Sequence, residues 1–143
     1  PFGLGSTGPA NEVEPVDPSL SFSDSAPIHR RNLARLMIAD TSRIDALALR
    51  IHHENLRRSQ LRSRKIARTD TMARAMAQVT CTVNGIWGES DSTIHPDLEA
   101  VRSVFTIHPN LGRFWSFEGV GHWVAYEAPN RFNDALRECL AGH

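Results

Sequence analysis

Two loops carry the side chains best suited to chemistry. Gly88-Glu89-Ser90-Asp91 follows one run of strand-forming residues, and Gly119-Val120-Gly121-His122-Trp123 follows another. A carboxylate set against an imidazole has definite work to do. It accepts the Nδ1 hydrogen, fixes the tautomer, and leaves Nε2 free to take a proton from a nucleophile. Asp91 or His122 alone carries little meaning, because isolated residues of either type are mostly structural or surface-facing. At the carboxyl ends of neighbouring parallel strands, where open sheets bind their ligands, the two predict an acid–imidazole pair.

The elements that must position the pair follow from periodicity. Thr80 to Trp87 is rich in Thr, Val, Ile, Cys and Trp, and predicts a short buried strand closed by Gly88. Leu98, Val101, Val104 and Phe105 mark a short helix after His95-Pro96, and Arg113 to Phe117 predicts a second strand. Phe132, Ala135, Leu136, Cys139 and Leu140 stripe a final helix begun near Pro129. Strand, helix, strand, helix implies a parallel pair joined by a right-handed crossover. Upstream, residues 28–78 predict helices without a Gly or Pro, with apolar spacings such as Ile44, Leu47, Ala48 and Ile51. Thr69 or Asp70 is the expected N-cap of the last of them. Residues 1–27 hold five of the eight prolines and predict a long loop. Two parallel strands make no stable sheet alone, so the α/β pattern is expected to be the end of a larger domain.

These residues resemble a known family. Ile86-Trp87-Gly88-Glu89-Ser90-Asp91 is similar to the acid-bearing loop of the α/β-hydrolase superfamily. Gly121-His122-Trp123-Val124-Ala125-Tyr126-Glu127-Ala128-Pro129, followed by Arg131-Phe132-Asn133, is similar to its histidine loop and last helix. That second stretch is especially similar to the meta-cleavage-product hydrolases and esterase-like relatives. The resemblance covers 79–143 and, more loosely, 20–78, where the family carries a helical cap. It implies the C-terminal part of an α/β-hydrolase fold, with 1–27 leading from an absent half of the sheet, 28–78 as cap and 79–143 as core. It also implies Asp91 as triad acid and His122 as general base, acting on ester or carbon–carbon bonds of small carbonyl substrates. The order of acid before histidine agrees. The family's G-x-S-x-G elbow is missing, and so is the loop that supplies oxyanion-hole amides. Ser90 adjoins the acid and cannot also flank the imidazole from the opposite side. The nucleophile is therefore expected outside this chain, and the chain alone is expected to be inactive.

Trp123 either lines a substrate pocket or fills core. Arg50, on the helix of Ile44 to Ile51, either holds a substrate carboxylate with its forked donors or is solvated. The 143 residues balance sixteen basic against sixteen acidic side chains, with 41% hydrophobic content. That composition excludes general disorder, and no apolar run is long enough to span a membrane. Two cysteines, Cys81 and Cys139, expected buried and inert, argue against a disulfide scaffold and suggest a reducing, cytoplasmic setting. The stretch from Arg30 to Arg74 holds twelve basic residues against four acids. It raises an alternative: a non-catalytic basic module gripping an anionic partner through Arg57, Arg58, Arg62 and Arg64. The stretch carries no aromatic residues for base stacking, so nucleic acid is an unfavoured partner. A third reading is an inactive fragment that pairs with itself or with its missing half through open strand edges. Gly3-Leu4-Gly5-Ser6-Thr7-Gly8 matches a dinucleotide motif by letter only, without the strand and helix it needs. His52 and His53 adjoin and point to different helix faces, and His95 and His108 precede prolines, so neither a metal nor a cofactor is expected.

Overall fold

The computed structural model describes residues 13–59, 69–94, 97–106 and 108–141. Helix α1 (Phe22–Leu36) leads, followed by a 3-10 turn (Thr41–Arg43), α2 (Ala46–Arg58) and α3 (Thr71–Met76). Then come β1 (Val83–Gly88), α4 (Leu98–Thr106), β2 (Leu111–Phe117), α5 (Val124–Glu127) and α6 (Pro129–Ala141). The arrangement is mixed helix with a small parallel sheet, in which β1 pairs with β2.

The sheet is covered on both faces. Val83 and Trp87 of β1 and Phe114 of β2 pack with Val101 and Phe105 of α4 on one side. Ile86, Trp115 and Phe117 pack with Val124 and Ala135 on the other. One residue of register slips between Val83 and Gly85, and this puts Leu111 on the same face as Phe114 despite their odd spacing. A third cluster lies between α1 and α2, around Leu33, Ile38, Ile44 and Ala48.

Three expectations need correction. The first concerns residues 1–27, expected to be loop throughout. The chain is helical from Phe22, with Pro27 inside α1. Ser21 caps that helix, its Oγ accepting from the Asp24 amide, and early capping outweighs the single bond that Pro27 forfeits. The segment 1–12, including the glycine motif, lies outside the described residues. Second, α2 does not bury the stripe its spacing suggested: Ala48, Leu49 and His53 are buried while Leu47 is 58% exposed. Third, Cys81 is exposed because β1 begins only at Val83, and Cys139 is half-buried on a helix whose inner face reaches the core mainly through Ala135. Asp70 holds the N-cap position of α3 but makes no side-chain cap bond; Thr69 Oγ1 instead accepts from the Thr71 amide.

Candidate functional site

Both chemistry-bearing loops are fastened to the C-terminus of α1. A helix leaves its last carbonyls without intrahelical partners. Here the acid loop supplies one partner: Ser92 Oγ donates to the carbonyls of Arg35 and Leu36 at 2.9 and 3.0 Å. The histidine loop supplies another, since the Trp123 amide donates to the Met37 carbonyl at 2.9 Å. Glu127, buried at the end of α5, closes the join. Its Oε1 accepts from the Asp40 amide at 2.7 Å and its Oε2 from the Gly121 amide at 2.8 Å.

Glycines permit this closeness. A Cβ at Gly88 would overlap the carbonyl oxygens of Val120 and Gly121. One at Gly121 would sit 2.8 Å from the Ala39 nitrogen and 2.9 Å from the Met37 oxygen. The backbones of the two loops and the end of α1 are therefore in mutual contact, and Ser90 N donates to Val120 O at 2.9 Å between them.

Asp91 and His122 meet there. Asp91 Oδ2 lies 2.8 Å from His122 Nδ1, with the Asp91 side chain only 2% exposed and the His122 side chain 33% exposed. The other carboxylate oxygen, Oδ1, accepts from the Thr93 amide at 2.9 Å and the Thr93 hydroxyl at 2.7 Å. Burial acts to raise the Asp91 carboxyl. The hydrogen bond and charge of His122, with the two bonds from Thr93, overcome that and hold it below the usual carboxylate range. With Oδ2 accepting at Nδ1, the imidazole carries its hydrogen on Nδ1 and presents a lone pair at Nε2. Nε2 has no partner among the described residues. A cavity of about 480 Å³ opens beside the ring, bordered by Ile51 and Asn55 of α2, Trp123, Tyr126 and Phe132.

Trp123 borders this cavity and also packs against the α1–α2 cluster, edge-on to Tyr126. Arg50 does not border that cavity. Its guanidinium lies 4.0 Å from the centre of the Phe22 ring, because helical spacing turns position 50 away from the face of Ile51 and Asn55. Ser92, spent on α1, and exposed Ser90 make no hydrogen bond to His122.

Several arginines of the basic stretch find carboxylates nearby. Arg31 and Arg35 meet Glu14, Arg57 and Arg58 meet Glu54, and Arg74 meets Asp70. Arg62 and Arg64 lie outside the described residues, as does His95. His108 is buried, its Nε2 on the Val79 carbonyl and its Nδ1 accepting from the Asn110 amide, which makes it a turn-fixing residue.

One cluster escaped the sequence. His29, on the buried face of α1, bonds through Nδ1 to His52 Nδ1 at 2.9 Å and through Nε2 to His53 Nδ1 at 3.0 Å. Burial, together with the neighbouring rings, lowers His29 and pushes His52 down to about 4. The adjoining of His52 and His53 was visible in the sequence, but nothing in it pointed to a ring arriving from another helix. Among the described residues no group of three His, Cys, Asp or Glu is arranged to hold a metal ion, and no helix is long and apolar enough to cross a membrane. No protein-family model matches the chain, and no curated protein sequence matches it.

Proposed function

We propose that the Asp91–His122 pair is the acid–base part of a hydrolytic site of the α/β-hydrolase kind, acting on ester or carbon–carbon bonds of small carbonyl compounds. One observation carries this reading: a buried carboxylate, pinned by Thr93, holds Nδ1 of an imidazole whose Nε2, beside a cavity, has no partner among the described residues. In such a site Nε2 removes the proton from an attacking hydroxyl and returns it to the leaving group, while the carboxylate steadies the imidazolium. Asp91 suits that role, since its surroundings favour the ionised form. The hydroxyl is assigned to polypeptide beyond these residues, which would lie against the open cavity. Leu136 and Leu140, exposed at 40% and 67% on α6, and the outer edges of the two strands offer it surface to cover.

The test is turnover of a 4-nitrophenyl ester by the polypeptide carrying both parts. Asp91→Asn should lower kcat by a factor on the order of 10⁴, as loss of the correct tautomer does in other triads. A loss below tenfold removes Asp91 from the catalytic group. The 143-residue chain by itself should take no fluorophosphonate label, and labelling at Ser90 or Ser92 would overturn the placement of the nucleophile.

A further inference from the structure

A second cavity, of about 410 Å³, lies on the opposite side of α2 from His122. Ile51 and Asn55 face the first cavity, and His52, His53 and Leu56 face the second, as roughly 100° per residue requires. Its walls are mostly apolar, from Val13, Val16, Leu20, Leu36, Met37 and Leu56, and the charged side chains that also border it are engaged elsewhere: Glu14 with Arg31, Asp17 with Ser19 and Arg57 with Glu54. Its polar floor is the His29–His52–His53 cluster. A chamber of this size with a few converging polar groups is the usual form of a small-molecule site.

The hydrogen-bond arithmetic of the floor is restrictive. His29 is fully buried, and no carboxylate contacts any of the three rings among the described residues; an uncharged imidazole carries one N–H. Each of the two ring-to-ring contacts needs one hydrogen. If His29 donates from Nδ1, His52 must accept at Nδ1 and keep its hydrogen on Nε2. His29 Nε2 then accepts from His53 Nδ1, which leaves a lone pair at His53 Nε2. The opposite tautomer of His29 reverses both ends. In either case one outer Nε2 is a donor and the other an acceptor, and neither has a partner among the described residues.

We infer that this cavity binds an uncharged apolar molecule bearing a hydroxyl group, an alcohol or a phenol. A hydroxyl both donates and accepts, so it is satisfied at either end of the relay and in either tautomer. A carboxylate can only accept, and it would be desolvated among mostly apolar walls beside Glu14 and Asp17, with Arg57 already set against Glu54 and one neutral imidazole N–H to meet it. The inference is independent of the hydrolytic reading, because the two cavities use opposite faces of α2.

The test titrates the full chain at pH 7.5 with 4-ethylphenol, ethylbenzene and 4-ethylbenzoate, following the histidine ring nitrogens by NMR. Without ligand, one outer ring should be protonated at Nε2 and the other at Nδ1, or the two should exchange. 4-Ethylphenol should saturate and bind at least fivefold tighter than ethylbenzene, with 4-ethylbenzoate weakest, in keeping with one added hydrogen bond. Leu56→Trp, at a half-exposed wall position that leaves the relay intact, should weaken 4-ethylphenol at least tenfold. Absence of saturation, equal affinity for ethylbenzene, tightest binding of 4-ethylbenzoate, or indifference to Leu56→Trp would each overturn the inference.

Discussion

Replacing Glu127 by Gln isolates what holds the histidine loop in place. The carboxylate is 5% exposed and each of its oxygens accepts one backbone amide, Asp40 on one side and Gly121 on the other. A carboxamide has one acceptor and one donor group. Whichever way it is turned, an NH₂ faces an N–H donor, so one amide loses its partner inside the join. Losing a bond to a charged acceptor is worth about 1.5–3 kcal/mol, and a buried unsatisfied N–H adds about 1–3. Relief of the carboxylate's own burial offsets part of this, which leaves a net loss of about 2–4 kcal/mol. Urea unfolding followed by tryptophan fluorescence measures it, and Trp123, adjoining the loop, makes the probe local. The Asp40 and Gly121 amide resonances should both move in Glu127→Gln. A loss below about 0.5 kcal/mol with both resonances unchanged would refute the view that Glu127 braces the loop to the segment after α1.

Gly88→Ala should drive the acid and histidine loops apart, because the added methyl meets backbone oxygens that no rotamer change can clear. Overpacking of this kind costs about 1–3 kcal/mol, and the His122 ring resonances should report loss of the Asp91 contact; a fully stable variant with those resonances unchanged would contradict the packing described. Acid should weaken the fold through the imidazole cluster. His52 titrates near its ordinary 6.5 when unfolded and at about 4 when folded, so the unfolded chain takes up the proton first and stability falls as pH drops from about 6.5 toward 4. At 1.36 kcal/mol per pKa unit, lowering pH from 7 to 5 should remove up to about 2 kcal/mol, and more if His29, shifted in the same direction, follows. The contribution of Asp91 has the opposite origin but the same sense: its carboxyl is lowered by folding, so its stabilisation is present above about 3.8 and lost below. Urea midpoints at pH 7 and pH 5 for the chain and for His52→Gln separate the two, since the variant should lose most of the pH 7-to-5 drop.

The strands, the helix between them and the last helix were legible because each is a short run with one dominant period. The pairing of Asp91 with His122 was legible for a related reason: two loops at the same ends of neighbouring parallel strands must meet. The start of α1 was legible in part, as Ser21-x-x-Asp24 is a capping pattern, but the prolines around it obscured it. The stripe of Ile44, Leu47, Ala48 and Ile51 left the direction of Arg50 open, and α2 turns it to the Phe22 ring. Helix α2 buries Ala48, Leu49 and His53, while half-buried Ile51 and exposed Asn55 border the cavity beside His122, and a single stripe cannot describe that. The histidine cluster was illegible on similar grounds, since its central ring comes from α1 and its outer rings from α2.

The attachments at the end of α1 explain why a helical segment far from the acid and the histidine in sequence bears on their geometry. Ser92 and Trp123 flank the two reactive side chains, and both donate to the last carbonyls of one helix. Glu127 ties Asp40, four residues beyond the end of that helix, to the residue just before His122. Removing α1 and the turn after it from this position would therefore leave the Arg35, Leu36 and Met37 carbonyls, the Trp123 and Asp40 amides and Glu127 Oε1 without these partners at once, a cost that couples detachment of the helix to loss of the pair. The dependence runs toward His29 as well. It lies eight residues before Met37 on the same helix, about 12 Å away at 1.5 Å per residue, and its two ring bonds hold that end of α1 against α2. Helix α1 is thus fixed at one end by imidazoles and at the other by the loops it serves, and α2 forms a wall of each cavity.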